Sequence, residues 1–464
     1  LLGLVFLHNF TVAISYAISY NELPECAHRS YLATNRLKAF KDRIMNNQQR
    51  LGRYIAIALV SGVICGEVGH LLLTNQALIQ QISNYLDLGA NIFLRLIKMI
   101  VAPLVFTTLL AGIASLNSAQ SLGRLFLKAM VVFIIGGLSV LILGMVLAEV
   151  FAPGRVLHEA LLTSGNANLL DVKQSVCQEC QITLKKFIEE VIPNSVVQGF
   201  AENHMLQVII LALLVGVAGL NLGRRFRQVF AFFELLAQLL FKIINYIMWL
   251  SPLAVFTSLC KIVLFSGIEI LRVYLIYILE YYLGLALIWL IWLTVGYIIS
   301  GRKFIPLIKA NLPLYATAFA ASSSESILPA MLANFPRFGV SEKVSSLVVP
   351  LGYAFNLEAA MFNCTFATLF IIQIFGYSLS LSQEILMLLM LMVTTKGIAG
   401  VPRASLVVVA ATLAAFGFPE SGILIILPID AINDMGRSAT SAFTQTMSAV
   451  VVDQWEKPKR EMVY

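Results

Sequence analysis

The chain has 464 residues, of which 59% are hydrophobic and only 12% charged, against the roughly 25% charge of an ordinary soluble domain. With a mean hydropathy of +0.85, this composition excludes a disordered protein and leaves too few charges to cover a soluble globule; a polytopic membrane protein fits. The net charge of +7 sits in short clusters between apolar runs, the pattern of cytoplasmic loops rather than of a nucleic-acid-binding face.

At roughly 20 residues per helical span, the length accommodates about eight to ten crossings. Unbroken apolar runs argue for helices and against the alternating strands of a membrane barrel. Residues 1–20 are apolar, without a leading Met or a basic flank. A signal-like segment, an extra span and an over-extended reading frame all stay open, and the segment is set outside the fold. Residues 29–53 carry Arg36, Lys38, Lys41, Arg43, Arg50 and Arg53 and read as a basic cytoplasmic lead-in. Spans are expected at 54–73, 86–116, 122–152, 187–220, 229–263 and 269–299. The clusters Arg124/Lys128, Arg224/Arg225/Arg227, Arg302/Lys303 and Lys457/Lys459/Arg460 fall on one side if each span crosses once. The loop 153–186 is poorer in positives, so both termini are expected in the cytoplasm of a cell-membrane protein. Its Cys177 and Cys180 form a lone CxxC with no second pair for zinc, so no metal site is assigned.

Beyond residue 303 the apolar runs are broken in their middles. The breaks are, first, Ser322-Ser323-Ser324-Glu325-Ser326, second, Gly397-Ile398-Ala399-Gly400-Val401-Pro402 and, third, lying between them in the chain, Asn356-Leu357-Glu358. Irregular backbone at membrane depth survives only where protein or a water-filled cavity satisfies it, so paired interruptions point to a transporter site near the midplane. Ordinary extramembrane loops are the alternative. The short flanks 304–321, 327–351, 381–396 and 401–417 read instead as two re-entrant hairpins.

The last apolar segment, 421–453, carries Asp430, Asp434, Arg437, Ser438, Ser441 and Gln445. At about 100° per residue, with Asp430 at 0°, Asp434 falls near about 40°, Arg437 about 340°, Ser441 about 20° and Gln445 about 60°, with Ser438 at the edge. Ionisable groups in a span face a cavity or one another. A self-satisfying Asp–Arg pair is one reading; a binding stripe is the other. An arginine grips a carboxylate with two parallel N–H bonds, and a carboxylate one turn away holds an ammonium. Together they describe an amino acid with an acidic side chain, whose second carboxylate suits serine hydroxyls and helix N-termini.

These blocks resemble the glutamate/aspartate transporters, the dicarboxylate/amino acid:cation symporters, over residues 54–456. The resemblance is carried by Phe93-Leu94-Arg95-Leu96-Ile97-Lys98-Met99 with Pro103, by Ile192-Pro193-Asn194 and by Ser251-Pro252-Leu253-Ala254-Val255-Phe256. The serine-rich segment ending Leu328-Pro329, the Gly397–Pro402 tip and Asp430-Ala431-Ile432-Asn433-Asp434-Met435-Gly436-Arg437 complete it. The wording Ser324-Glu325-Ser326, Phe355-Asn356-Leu357 and Thr395-Lys396-Gly397 resembles the bacterial proton/glutamate symporters in particular.

The resemblance implies an all-α polytopic membrane protein with eight transmembrane helices, two re-entrant helical hairpins, inverted repeats, a homotrimer and an elevator motion. It divides the chain into an N-terminal segment 1–53, scaffold spans at 54–121, a transport-domain span at 122–152 and a loop with further scaffold spans at 153–268. The transport domain proper follows at 269–456, and a tail at 457–464. It further implies that Arg437 binds the substrate side-chain carboxylate, Asp434 its α-amino group, and Ser323 and Ser324 its main-chain carboxylate. Ile398, Ala399, Gly400, Val401 and Pro402 would form the outer gate, and Asn356 the unwound part of the seventh span. Ser438 and Ser441 join them on the binding stripe.

The chain departs from the family's pattern at the coupling ion. Sodium-coupled members keep a carboxylate where this chain has Gln445 and an Asn where it has Ser441. Their Asn-Met-Asp-Gly-Thr motif reads here Asn356-Leu357-Glu358-Ala359-Ala360, and Phe133, Gly136 and Gly137 offer no side-chain oxygen in the third span. Two sodium sites are therefore expected to be lost, although backbone carbonyls still suit sodium. A proton needs only one carboxyl, and burial raises a carboxyl's pKa. Glu358 is the leading proton carrier and Glu325 the second, with Asp430 and Gln445 the other candidates for ion coupling. No resident cofactor is expected; the co-transported ion is a proton, with sodium as the alternative.

Ser322 replaces a tip arginine common among bacterial relatives, and Arg403 stands where the family has a small residue. Asp434 argues against a plain C4-dicarboxylate substrate and Arg437 against a neutral amino acid. An intramembrane enzyme using Asp430 and Asp434 lacks a nearby His or Cys in sequence. A transport-deficient scaffold is the remaining alternative.

Overall fold

The computed structural model describes residues 50–51, 53–73, 75–116, 123–163, 195–201, 205–395, 404–419 and 422–457. Apart from Arg50, these residues belong to one packed unit, Leu51–Tyr464. Every regular element among them is a helix. The first four are α1 (Arg53–Leu72), α2 (Gln76–Leu116), α3 (Gly123–Phe151) and α4 (Pro153–Thr163). The apolar run alone predicts the second helix from residue 86, but it begins ten residues earlier. Asn75 supplies the cap, its Oδ1 accepting from the backbone N–H of Ala77 at 3.0 Å, as a capping side chain does.

Next come α5 (Val196–Ala201), α6 (Met205–Leu222), α7 (Arg227–Ile247) and α8 (Ser251–Ser266). The span expected at 229–263 is thus two helices, parted by a 3-10 turn at Met248–Leu250. Pro252 lies in the first turn of α8, a position that tolerates its missing N–H. Residues 187–194, the CxxC segment and the N-terminal 1–49 lie outside the described residues.

The C-terminal half holds α9 (Ile270–Ser300), α10 (Ile305–Ala321), α11 (Leu328–Asn334), α12 (Glu342–Phe355), α13 (Glu358–Ile374), α14 (Leu381–Thr394), α15 (Ala404–Ala415) and α16 (Ile423–Glu456). The flank expected as one run, 327–351, is split at Pro336–Gly339. There Gly339 takes φ 82°, a left-handed conformation that glycine adopts without penalty.

By length and composition, five helical stretches among the described residues suffice to cross a membrane: Arg53–Leu72, Arg124–Glu159, Arg227–Ser266, Ile270–Ser300 and Glu342–Ile374. One group of helices gathers α6, α7 and α8 around α2, with Lys261 Nζ 2.7 Å from Asp87 Oδ1 across α8 and α2. The other surrounds α13, which is buried along its whole length by α3, α4, α9, α14, α15 and α16. A helix buried on every face lies inside the protein, and its polar residues have to find their partners there.

Polar bonds fix the neighbours of α16. The Trp289 ring stacks on Phe443 at 3.9 Å, and Tyr315 Oη meets Thr446 Oγ1 at 2.8 Å. At the end of α16, beyond its apolar stretch, Lys128 and Arg124 approach Glu456 at 2.6 and 3.1 Å. These two cations hold the Glu456 carboxyl below its ordinary pKa, the Lys128 hydrogen bond first.

Candidate functional site

The polar stripe of α16 points into the protein. Asp430, Asp434, Arg437, Ser438, Ser441 and Gln445 are all buried. Arg437 Nη2 donates to Asp434 Oδ1, and its Nη1 lies 3.6 Å from Asp430 Oδ1. Two carboxylates of one helix thus face one guanidinium at 5% exposure. In such a place the desolvation of each charge is recovered only by close pairing.

Arg437 also reaches across to α15, where Nη1 donates to Ser405 Oγ. The same oxygen accepts from Asn363 Nδ2 of α13 at 3.0 Å. Neither Ser405 nor Asn363 is among the residues singled out by sequence. Asn363 sits on a helix buried all round, so it belongs to no polar face that a periodicity could expose. Ser405 follows the second interruption closely, and only the fold brings it to Arg437.

The first interruption is a tight turn between α10 and α11. Ser322 caps α10 at φ 48°, and Ser323 and Ser324 are buried. Tyr353 Oη donates to Ser324 O at 2.9 Å, and Ser326 Oγ to Ser323 O at 2.8 Å. Glu325, in the same turn, is exposed. The tip of the second interruption, Ile398, Ala399, Gly400, Val401 and Pro402, lies outside the described residues, as does Arg403.

The third interruption separates α12 from α13. Asn356 and Leu357 leave helical conformation, with ψ of 58° and 76°. The freed carbonyl of Asn356 accepts from Gln445 Nε2 at 2.6 Å. The Asn356 side chain donates to Glu358 Oε1 at 2.8 Å, and Trp292 Nε1 donates to Glu358 Oε2. Glu358 is fully buried. The stripe of α16 therefore serves two places: Arg437 faces α15, and Gln445, about 12 Å further along the helix, closes the break.

Glycines make the second place possible. A Cβ on Gly136 would overlap Glu358 Oε1, and one on Gly137 would come 2.7 Å from Met361 Cε. A Cβ on Gly352 would overlap the Gln445 carboxamide. By sequence, Gly136 and Gly137 are missing oxygen ligands; in the fold they are also the space that Glu358 and Met361 occupy. Among the described residues, no three His, Cys, Asp or Glu side chains converge as a metal site.

A family model for sodium:dicarboxylate symporters matches residues 51–455. The chain is 34% identical over 369 residues to the proton/glutamate-aspartate symporter of Bacillus subtilis (strain 168), an alignment covering 80% of this chain and 88% of that protein. It is 31% identical over 405 residues to the proton/sodium-glutamate symport protein of Geobacillus stearothermophilus, covering 87% of this chain and 93% of that one. It is also 32% identical over 408 residues to the C4-dicarboxylate transport protein of Delftia acidovorans (strain DSM 14801 / SPH-1), covering 87% and 88%.

Proposed function

The chain belongs to the sodium:dicarboxylate symporter family, and we propose that it carries glutamate or aspartate across the cytoplasmic membrane, driven by the proton gradient. It is a multi-pass membrane protein, and its relatives are transporters rather than enzymes.

The observation that carries the substrate assignment is the Arg437–Asp434 pair. A substrate with a side-chain carboxylate and an ammonium replaces this internal pair by two external ones, Arg437 to carboxylate and Asp434 to ammonium. Both members of the internal pair keep a partner of opposite charge in that exchange. A C4-dicarboxylate, the cargo in the name of the Delftia relative, would set its second carboxylate against Asp434 or Asp430. In this reading Ser323 and Ser324 receive the main-chain carboxylate, Ser438 and Ser441 line the cavity, and Ile398 to Pro402 close over it. Asn356 lies at the edge of the site, where it joins the substrate region to the coupling region.

Proton coupling is assigned to Glu358. It is the fully buried carboxylate at the break of a helix, whereas Glu325 is exposed. The Gln445 amide, donating to the Asn356 carbonyl, supplies that oxygen with an N–H partner where a cation site would need the oxygen itself. Eight spans with two re-entrant hairpins in inverted repeats, a trimeric scaffold from 54–121 and 153–268, and an elevator motion of 122–152 with 269–456 complete the proposal. Both termini are placed in the cytoplasm, as the basic clusters favour.

Calorimetry on the purified protein tests the site. Arg437→Ala is expected to lower glutamate and aspartate affinity by at least about 30-fold, the effect of truncating a buried charge partner. Undiminished affinity in that variant would remove the assignment.

A further inference from the structure

Ser405 holds two N–H donors on one oxygen. Its Oγ accepts from Arg437 Nη1 and, at 3.0 Å, from Asn363 Nδ2. A hydroxyl has two acceptor sites and one proton. Both acceptor sites are engaged, one by a cation, so the Ser405 proton has to be donated elsewhere. The guanidinium bond polarises the hydroxyl and strengthens it as a donor. Asn363 does not take that proton: its Oδ1 is buried without a hydrogen-bond partner among the described residues, while its amide nitrogen is the atom that faces Ser405. Ser405 is itself buried and stands in the first turn of α15, the dipole end that favours negative charge.

We infer that the Ser405 hydroxyl is a substrate-contacting donor of the subsite around Arg437, selecting a side-chain carboxylate over a carboxamide. Asn363 is its positioning residue. The inference rests on the acidic amino-acid reading above. A carboxylate accepts on both oxygens and satisfies the hydroxyl together with the guanidinium. A carboxamide has one oxygen to offer and turns its N–H2 group toward one of these donors. The donor so faced is left buried and unsatisfied, which is the costly outcome. Asn363 acts through Ser405 alone. Its N–H2 fixes the oxygen, so that the hydroxyl proton is not drawn back toward α13.

Uptake of radiolabelled glutamate into proteoliposomes of the full chain tests this, with unlabelled glutamine as competitor. Ser405→Ala is expected to raise the glutamate KM about tenfold, the worth of one hydrogen bond to a charged group, with KM changing more than the maximal rate. Glutamine should gain relative to glutamate by a similar factor in that variant. Ser405→Thr, which keeps the hydroxyl, should restore both values, and Asn363→Leu should raise KM by less than Ser405→Ala. An unmoved KM and an unmoved glutamine-to-glutamate ratio in Ser405→Ala would overturn the role of Ser405 while leaving the substrate reading intact. Wild-type protein that takes up neither glutamate nor aspartate would overturn the substrate reading, and this inference with it.

Discussion

Glu358 accepts an N–H on each carboxylate oxygen, from Trp292 and from Asn356. This arrangement suits the ionised group, which only accepts hydrogen bonds. A proton added to either oxygen turns it into a donor and weakens it as an acceptor for its N–H. Asn356 is also tied to α16 through Gln445. With Glu358 as the proposed proton carrier, its protonation would weaken the bond to Asn356 and so reach the helix that carries Arg437. Glu358→Gln, which neither gains nor loses a proton, is expected to transport without dependence on a pH gradient. Uptake rates at matched and unmatched internal pH decide it; an unchanged pH response would remove Glu358 as the carrier. The polar stripe of α16 and Glu358 are legible in sequence because a charge within an apolar segment is costly and stands out. Trp292, Asn363 and Ser405 are not. An indole, an amide and a hydroxyl are common in such segments, and only the packing of α9, α13 and α15 gives them partners.

Among the elements, α3 and α13 approach so closely that Gly136 and Gly137 have no room for a side chain. The fit fixes Glu358 against the Trp292 indole. Gly136→Val is expected to overpack this contact, at a cost of about 1–3 kcal/mol, and to lower both thermal stability in detergent and transport. An unchanged melting temperature together with unchanged uptake would contradict the close approach. Element boundaries were legible where the apolar run alone sets the length: the span expected at 269–299 matches α9 to within one residue at each end, and those at 54–73 and 122–152 end within one residue of α1 and α3. They were not legible where single residues act on the backbone. The Asn75 cap lengthens α2, Pro252 starts a new helix, and Gly339 reverses the chain between α11 and α12.

The described residues carry large apolar side chains on the outside, while the mostly apolar interior also holds charges. Ile298 is 75% exposed and Leu72 74%, while Asp430 and Glu358 are fully buried. Such an exterior fits lipid, and the interior charges are held by partners within the chain. The interior divides between Arg437 with its two aspartates and Glu358 with its neutral donors, joined along α16. In the proposed function, that division is the physical basis for coupling an acidic substrate to a proton. Uptake of radiolabelled glutamate and aspartate into proteoliposomes, under an inward proton gradient or an inward sodium gradient but never both, tests it most directly. The expected result is accumulation with the proton gradient alone. Accumulation that requires sodium, or none under either gradient, would contradict it.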